Sequence, residues 1–223
     1  ALDVESAEEA VRLARRLRPL VQTVKIGSIL FTREGPEVVR RIRALGVDVM
    51  LDLKFFDIPS TVERSVCAAA SLRVRMLTVH AAGGRDMLRA AMAGARHAAG
   101  RRHLTRPLVL AVTVLTSAGS PGQASMRQRV LALAGEAATA GCDGVVASAQ
   151  DASRIRARFG RRLRIVCPGI RPAGAPVQAP RRVMGPRQAL AAGADALIVG
   201  RPIIEASDPV AAARRIMSDI EPS

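Results

Sequence analysis

The 223 residues of this chain are 49% hydrophobic, which suits one large α/β domain with a full core. A membrane protein is not expected, because no apolar run approaches the roughly 20 residues that a spanning helix requires. The formal net charge of +15 would suit a nucleic-acid-binding protein. However, the charge comes from arginines spread along the chain, and without Trp or Tyr a surface that stacks on bases is not expected.

The cysteines and lysines are few, and both sets are informative. Cys67, Cys142 and Cys167 lie far apart without a CxxC pair, which indicates reduced thiols in a cytoplasmic protein. Lys25 and Lys54 are the only lysines of this chain, which otherwise uses Arg for its positive charges. A retained Lys indicates a need for a compact ammonium that can give up a proton, unless both residues survive by chance.

A unit of helix, glycine and short apolar strand recurs along the chain. Its clearest copies, residues 44–51, 139–146 and 191–198, place a Gly where a helix ends and an apolar run where a buried parallel strand follows. Eight strands are predicted, near residues 1–4, 24–27, 48–54, 76–80, 108–114, 144–147, 164–168 and 196–199. Because strand-like sequence begins at Ala1, we expect the natural chain to start earlier, with its first strand truncated here.

Helices are predicted between these strands. Ser6 and Ser60 are each followed three residues later by Glu, which predicts capping boxes, and Asp208-Pro209 predicts the start of the last helix. Eight alternating units predict a single (β/α)8 TIM barrel, an α/β fold, as one catalytic domain over residues 1–223. A doubly wound open sheet is the alternative, but no GxGxxG follows the first strand.

The segment from Leu51 to Thr61 carries charges at the end of the third predicted strand. Strand alternation puts Asp52 and Lys54 on one face, while Leu51 and Leu53 face the helices. In a barrel the charged face points into the mouth, where active sites lie. A structural ion pair at the rim is the alternative. The alternation of Asp and Lys beside a second Lys favours a catalytic array.

Two Gly–Arg segments follow the last two predicted strands, Pro168-Gly-Ile-Arg171 and Val199-Gly-Arg201. Barrels often bind phosphate with the loops at these positions. Glycine lets backbone N–H groups approach an anion, and Arg adds a bidentate contact, so a phosphate site is predicted here. The long loop over residues 169–186, rich in Pro, Gly and Ala, is predicted to be a lid.

Eight segments carry a resemblance that covers essentially the whole chain. They are Ala1-Leu-Asp-Val4, Lys25-Ile-Gly27, Asp52-x-Lys54-x-x-Asp57-Ile-Pro, Thr78-Val-His-Ala-Ala-Gly-Gly84, Val112-Thr-Val-Leu-Thr-Ser117, Gly141-Cys-Asp-Gly-Val-Val146, Pro168-Gly-Ile-Arg-Pro172 and Val199-Gly-Arg-Pro-Ile203. In this order they resemble bacterial orotidine 5′-phosphate decarboxylases. DxKxxD alone is shared with related sugar-phosphate barrels, whereas the full set is specific.

The resemblance implies an enzyme that converts orotidine 5′-phosphate to uridine 5′-phosphate and CO₂, the last step of de novo pyrimidine biosynthesis. It implies no cofactor and no metal. Lys25, Asp52, Lys54 and Asp57 would form a charged tetrad, with Asp57 supplied by the other subunit of a homodimer with shared active sites. Lys54 would protonate C6 of the pyrimidine, and Asp52 would lie beside the departing carboxylate.

The resemblance also implies the contacts that hold the nucleotide. Asp3 and Lys25 would hold the ribose, and Thr61 would reach toward it across the dimer interface. The remaining substrate contacts would be Thr116 to the pyrimidine amide edge, and Arg171, Gly200 and Arg201 to the phosphate.

The chain departs from the family in two places. Ser60 stands where Asn is usual, and since both residues cap helices well, little effect is expected. In the phosphate loop, Pro180 occupies the position of a phosphate-binding Gln. Either Gln178 reaches in from a shifted loop, or Arg171 and Arg201 carry the phosphate with help from Arg181 or Arg182.

Two other functions compete with this interpretation. The first is a metal-dependent sugar-phosphate decarboxylase or aldolase on the same barrel, for which Asp3 and Glu5 could supply carboxylates. The Asp57-Ile-Pro-Ser-Thr segment favours the pyrimidine enzyme instead. The second is a basic RNA-binding protein, which would leave the inward Asp and Lys residues unexplained. We therefore expect a small nucleotide as partner, and no nucleic acid or membrane.

Overall fold

A computed structural model describes residues 1–102, 104–114, 123–172 and 184–220, and its strands form one parallel sheet. The strands are β1 (Thr23–Gly27), β2 (Asp48–Phe55), β3 (Met76–His80), β4 (Leu108–Val112), β5 (Gly144–Val146), β6 (Arg164–Cys167) and β7 (Ala196–Leu197). Within the described residues their order in the sheet is the order of the chain, β1 to β7. A doubly wound sheet reverses its strand order partway, so that alternative is excluded.

Helices connect the strands, which confirms the predicted alternation. They are α1 (Ala7–Leu17), α2 (Ser28–Arg43), α3 (Pro59–Ser71), α4 (Gly84–Arg102), α5 (Gln123–Ala140), α6 (Ala149–Phe159), α7 (Pro186–Ala191), α8 (Arg201–Ile204) and α9 (Pro209–Ile220). No helix in the described parts of the chain has both the length and the apolar character to cross a membrane.

Two of the three predicted helix starts are confirmed. The Ser6 hydroxyl accepts a hydrogen bond from the Glu9 N–H and caps α1, and the Asp208 carboxylate accepts from the Val210 N–H at the start of α9. The predicted cap at Ser60 is wrong. The helix α3 already begins at Pro59, because proline has its φ fixed at a helical value and is well suited to the first helical position.

The predicted strand at residues 1–4 is not a strand in the structure, so the described sheet has seven strands and not eight. The segment is nevertheless hydrogen-bonded on both sides. The Leu2 N–H donates to the Lys25 carbonyl at 2.9 Å, and the Ala1 nitrogen donates to the Val199 carbonyl at 2.6 Å. These isolated contacts do not make the repeated ladder that defines a strand. They do place the segment between β1 and the residues that follow β7.

Side chains of the strands alternate between two cores. Residues on one face form a small cluster made of strand residues alone, comprising Met50, Leu110, Val112, Val146 and Val166. Residues at the alternate positions, such as Leu51 and Leu77, pack with the helices in the large outer core. The face that carries the small cluster is therefore the inner face of the curled sheet, and Asp52 and Lys54 lie in register with it, as predicted.

At the amino edge of the sheet, two aspartates tie neighbouring strands together. The Asp143 carboxylate accepts a hydrogen bond from the Val109 N–H at 2.8 Å and two from the Arg106 guanidinium at 2.6 and 2.7 Å. This ion pair raises the pKa of Arg106. Asp195 repeats the arrangement with Arg156 at 2.6 Å and the N–H of Ile165 at 2.7 Å. These aspartates belong to the recurring Gly-x-Asp units, and their contacts are structural.

Most of the predicted lid, residues 169–186, lies outside the described residues. Its two ends are described and are joined to each other. Ile170 and Met184 form a parallel bridge, and the Arg171 N–H donates to the Met184 carbonyl at 3.3 Å. The two ends of this loop therefore lie next to each other near the carboxyl end of β6.

Candidate active site

Charged side chains meet at the carboxyl edge of the sheet, on its inner face. Lys25 of β1 contacts two carboxylates, with its Nζ 3.0 Å from Asp3 Oδ1 and 3.5 Å from Asp52 Oδ2. The Lys54 ammonium donates to both oxygens of Asp52, at 3.0 and 2.9 Å. Asp3, Lys25, Asp52 and Lys54 thus form one continuous chain of alternating charges. The structure brings together these four residues, each of which the sequence had singled out.

Burial distinguishes the members of this cluster. The side chain of Asp52 is only 12% exposed, whereas that of Lys54 is 37% exposed. Withdrawing a carboxylate from solvent is costly unless it is paired and hydrogen-bonded, and Asp52 meets that condition through two ammonium groups. The Lys54 ammonium therefore has one side held by Asp52 and another side open to the mouth of the site.

A bulge in β2 sets the direction of Lys54. The pairing of β2 with β3 is regular through Leu51 opposite Leu77 and resumes at Phe55 opposite Val79, so β2 carries extra residues between these pairs. Lys54 has a φ of +49° there, a left-handed conformation that costs a non-glycine residue about 1–3 kcal/mol. Strand alternation alone does not predict this bulge.

Thr78 of β3 lies at the bulge, and sequence reasoning missed it. Its side chain is buried. Its hydroxyl accepts a hydrogen bond from the Lys54 N–H at 2.9 Å and donates to Asp52 Oδ1 at 2.9 Å. A polar residue at an inward position of the otherwise apolar run Met76–Val79 was the signal that could have drawn attention to it.

His80, at the end of β3, borders the cluster. Its Nδ1 accepts a hydrogen bond from the Ala82 N–H at 3.3 Å, and its ring lies 5.5 Å from that of Phe56. Burial lowers the pKa of His80, and the charges of Lys54 and Arg129 lower it further. The imidazole is therefore neutral near pH 7, and it adds no charge beside Lys54.

Asp57 and Thr61 do not join the cluster within one chain. Both are exposed, and the Asp57 carboxylate accepts a hydrogen bond from the neighbouring Ile58 N–H at 2.6 Å. Exposed apolar side chains flank Asp57 on both sides, at Phe56 and Ile58. This surface follows the strand that carries Asp52 and Lys54.

The residues predicted to bind phosphate divide into two groups. Gly200 and Arg201 begin α8, and an ideal Cβ built at Gly200 would lie 3.4 Å from an oxygen of Asp3, so this backbone adjoins the charged cluster. Arg171 donates to the Ile170 carbonyl at 3.1 Å. Neither Arg171 nor Arg201 pairs with a carboxylate in the parts of the chain that the structure describes. Thr116 and Gln178 lie outside those parts.

No group of three or more His, Cys, Asp or Glu residues that could hold a metal ion is found in the described ranges. What the site offers instead is a pair of ammonium groups fixed against a carboxylate. Such an arrangement can bind an anionic substrate, stabilise negative charge that develops on a carbon atom, and donate a proton to it.

Parallel α/β enzymes carry their active sites at the carboxyl ends of the strands, and this chain has the fold and site of that class. It belongs to the Orotidine 5′-phosphate decarboxylase / HUMPS family, whose family model matches residues 1–216. The resemblance seen in the sequence segments is thereby confirmed.

Individual relatives agree with this family. A protein of Halorhodospira halophila named orotidine 5′-phosphate decarboxylase is 47% identical, over 99% of this chain and 94% of its own. One of the same name from Nitrosococcus oceani is 44% identical, over 99% and 95%. The crystal structure of orotidine 5′-phosphate decarboxylase from Lactobacillus acidophilus superimposes with a TM-score of 0.84 at 34% identity, covering 99% of this chain and 97% of that one.

Proposed function

We propose that this chain decarboxylates orotidine 5′-phosphate to uridine 5′-phosphate and CO₂, as a cytoplasmic enzyme of pyrimidine biosynthesis. The observation that carries the proposal is the Asp52 carboxylate, mostly shielded from solvent, that holds the Lys54 ammonium at the carboxyl edge of the sheet. Relatives that bear the decarboxylase name at 41–47% identity over nearly the full chain support the same reaction.

The proposal includes a single (β/α)8 barrel over residues 1–223. Residues 1–4 would occupy the place of the eighth strand, between β1 and the end of β7. Their hydrogen bonds to Lys25 and Val199 support this closure. So does their alternation, since Leu2 and Val4 join the outer core while Asp3 meets Lys25 at the inner face. A closed barrel would bring Asp3 and Gly200 to the same rim as Lys54.

The reaction needs a positive charge close to C6 of the ring and a proton donor at the same place. Loss of CO₂ from C6 of the orotate ring leaves an electron pair on that carbon, and the ring has no good place to delocalise it. The Lys54 ammonium would stabilise this pair as it forms and then transfer one proton to C6, which completes uridine 5′-phosphate. Preorganised charge of this kind stabilises a transition state without rearrangement of solvent. No cofactor is required for such a step.

Asp52 would act on both sides of this reaction. Its carboxylate pairs with the Lys54 ammonium and holds it in one place. It would also lie beside the substrate carboxylate, so that repulsion between two anions is relieved when neutral CO₂ leaves. Binding energy from distant parts of the nucleotide would offset that repulsion when the substrate binds.

Those distant contacts would be the ones that the resemblance implies. Asp3 and Lys25 would hold the ribose hydroxyls, and Thr116 would bind the amide edge of the pyrimidine. Arg171, Gly200 and Arg201 would hold the phosphate, and the absence of carboxylate partners for both arginines in the described ranges supports this role. Gln178 would add a hydrogen bond to the phosphate in place of the Gln that Pro180 has replaced.

We also propose a homodimer with shared active sites. The support is three exposed apolar side chains that follow the carboxyl ends of adjacent strands: Ile29 after β1, and Phe56 and Ile58 after β2. Exposed apolar groups of this size are typical of interaction sites. A second chain that covers them would bring its Asp57 and Thr61 toward the Lys54 of the first.

Subunit mixing tests the shared site. Asp57→Ala and Lys54→Ala homodimers are each expected to be inactive, but in a mixed dimer one of the two sites retains both residues. Mixing the two variants should therefore restore measurable activity. Verified heterodimers that gain none would show that Asp57 acts within its own chain or not at all.

An absorbance assay in EDTA tests the reaction itself. Purified protein added to orotidine 5′-phosphate should change the ultraviolet absorbance of the ring, because the product lacks the conjugated carboxylate. The rate should be unaffected by EDTA, and Lys54→Ala protein serves as the control. Activity that appears only with an added divalent metal, or only on a sugar phosphate, would contradict the proposal and favour the metal-dependent alternative.

A further inference from the structure

We propose that Thr78 is a positioning residue of this site, which fixes the Lys54 backbone and the Asp52 carboxylate through one hydroxyl. Its kinetic consequence rests on the proposed function, whereas its effect on the geometry of Lys54 does not. Thr78 begins one of the segments that carry the resemblance, but the resemblance implies no role for it in binding or chemistry.

The hydrogen bonds of Thr78 have only one possible direction. The Lys54 N–H can only donate, so the Thr78 oxygen accepts there, at 2.9 Å. A hydroxyl has a single proton. That proton is therefore committed to Asp52 Oδ1, at 2.9 Å. Because Thr78 is buried, water does not readily replace either contact.

The bulge explains why this hydroxyl is needed. The regular pairing of β2 with β3 stops after Leu51 and resumes at Phe55, so the Lys54 N–H lies where the ladder is interrupted. The Thr78 side chain supplies the acceptor at that point and holds the left-handed conformation of Lys54 in place. The Lys54 side chain thereby stays on the inner face, because its backbone is kept from relaxing to an ordinary strand conformation.

The same hydroxyl fixes the rotation of the Asp52 carboxylate. Asp52 Oδ1 receives hydrogen bonds from Thr78 and Lys54, while Oδ2 faces Lys54 and, at 3.5 Å, Lys25. Without Thr78 the carboxylate can turn and carry the Lys54 ammonium with it. A displacement of about 1 Å at a reacting group can cost about 100-fold in rate.

Thr113 provides a matched control. It is also a buried threonine, directly after β4, and its hydroxyl donates to the Val146 carbonyl of the next strand at 3.0 Å. Its strand neighbours on the same side, Val109 and Ala111, belong to the outer core, so it faces the helices. Thr113→Val removes a buried hydroxyl of the same kind without touching the charged cluster.

The kinetic experiment compares Thr78→Val, Thr78→Ser and Thr113→Val. Thr78→Val should lower kcat for orotidine 5′-phosphate by about 100-fold with KM little changed, since positioning of Lys54 matters most in the transition state. Thr78→Ser keeps the hydroxyl and should recover most of the rate. Thr113→Val should lose stability but keep kcat. An equal fall of kcat in the Thr113 variant would overturn the proposal, because the effect would then be general to the fold.

A spectroscopic measurement tests the geometry without any substrate. The chain has only the lysines Lys25 and Lys54, so protein labelled with ¹³C at lysine Cε gives two signals, assigned with the Lys54→Arg variant. Thr78→Val should move the Lys54 signal, while Thr78→Ser and Thr113→Val should leave it close to its wild-type position. If Thr78→Val does not fold, Thr78→Ala takes its place.

The two measurements separate the two ideas. A protein without decarboxylase activity in which Thr78→Val still moves the Lys54 signal would refute the proposed function and keep the role of Thr78. An active enzyme whose kcat and Lys54 signal are both unchanged in Thr78→Val would refute the role of Thr78 and keep the function.

Discussion

The two edges of the sheet use the same elements for different purposes. At each edge an aspartate accepts hydrogen bonds from a cation and from a second donor: Asp143 from Arg106 and a backbone N–H, Asp52 from Lys54 and a hydroxyl. The amino edge uses a guanidinium, which forms a rigid bidentate pair and does not give up its proton. The carboxyl edge uses ammonium groups, which can. The choice of cation therefore separates the edge that stabilises from the edge that can react.

Exchanging the cation at the carboxyl edge should have the largest effect. Lys54→Arg keeps the positive charge but is expected to lower kcat/KM by about 10³-fold or more, because guanidinium is a poor acid and is bulkier than ammonium. Steady-state kinetics measure the loss, and a melting temperature near that of the wild type shows that the fold is intact. Near-normal turnover would mean that Lys54 is not the proton donor.

The second effect concerns the phosphate contact proposed for Gln178, which lies outside the described residues. Gln178→Ala should weaken kcat/KM for orotidine 5′-phosphate by about 10- to 150-fold, which corresponds to the ~1.5–3 kcal/mol of a hydrogen bond to a charged group. The loss should largely disappear with orotidine, which lacks the phosphate and hence the contact. Unchanged kinetics on the phosphorylated substrate would leave Arg171 and Arg201 as the phosphate clamp.

The converse exchange at the amino edge should affect stability alone. Arg106→Lys replaces the bidentate pair with Asp143 by a single contact, and about 1.5 kcal/mol of unfolding free energy should be lost, the worth of one such charged hydrogen bond. Denaturant unfolding measures the change. If kcat per folded molecule fell as well, the two edges would be coupled, and the division between them would be wrong.

The smallest expected effect is a change in the pKa of His80, at the carboxyl edge of the sheet. The pKa of His80 should lie below the usual value of about 6.5, chiefly because of burial, and Lys54→Ala should raise it part of the way back. The folded state favours the neutral imidazole, so this contribution to stability is complete above pH ~6.5 and is lost as the pH falls toward the lower folded pKa. NMR titration of the assigned His80 signal measures both values. A pKa unaltered by Lys54→Ala would mean that the ammonium lies farther from His80 than the structure indicates.

Much of this fold follows from patterns that a local segment contains. The periodic apolar runs predicted β1 to β7 to within a few residues, although β4 ends at Val112 and not at residue 114. Alternation correctly predicted that Asp52 and Lys54 share a face, because the side to which a residue points follows from its position along a single strand. Ser6 and Asp208 predicted helix starts for the same reason: a cap is a contact with residues two or three positions away.

What the sequence did not predict depends on pairing between distant segments. The bulge at Lys54 and the role of Thr78 arise from the register of β2 against β3, which no local pattern records. The recurring unit of helix, glycine and strand does not reveal the ties made by Asp143 and Asp195, because they depend on which backbone N–H lies opposite each carboxylate. The predicted cap at Ser60 was wrong because α3 begins one residue earlier, at Pro59. The predicted strand at residues 1–4 was wrong because an alternating pattern does not ensure a ladder of hydrogen bonds with a neighbouring strand.

The bridge between Ile170 and Met184 gives the chain a place to vary through evolution. Because the two ends are joined and Arg171 is held by the Met184 carbonyl, the position of its backbone does not depend on how many residues lie between them. The entropy of closing a loop grows slowly, by only about 0.6 kcal/mol for each doubling of its length. Insertions, deletions and prolines can therefore accumulate between the two ends at little thermodynamic cost. The residues between the two ends can therefore change during evolution while Lys54 keeps its place in β2.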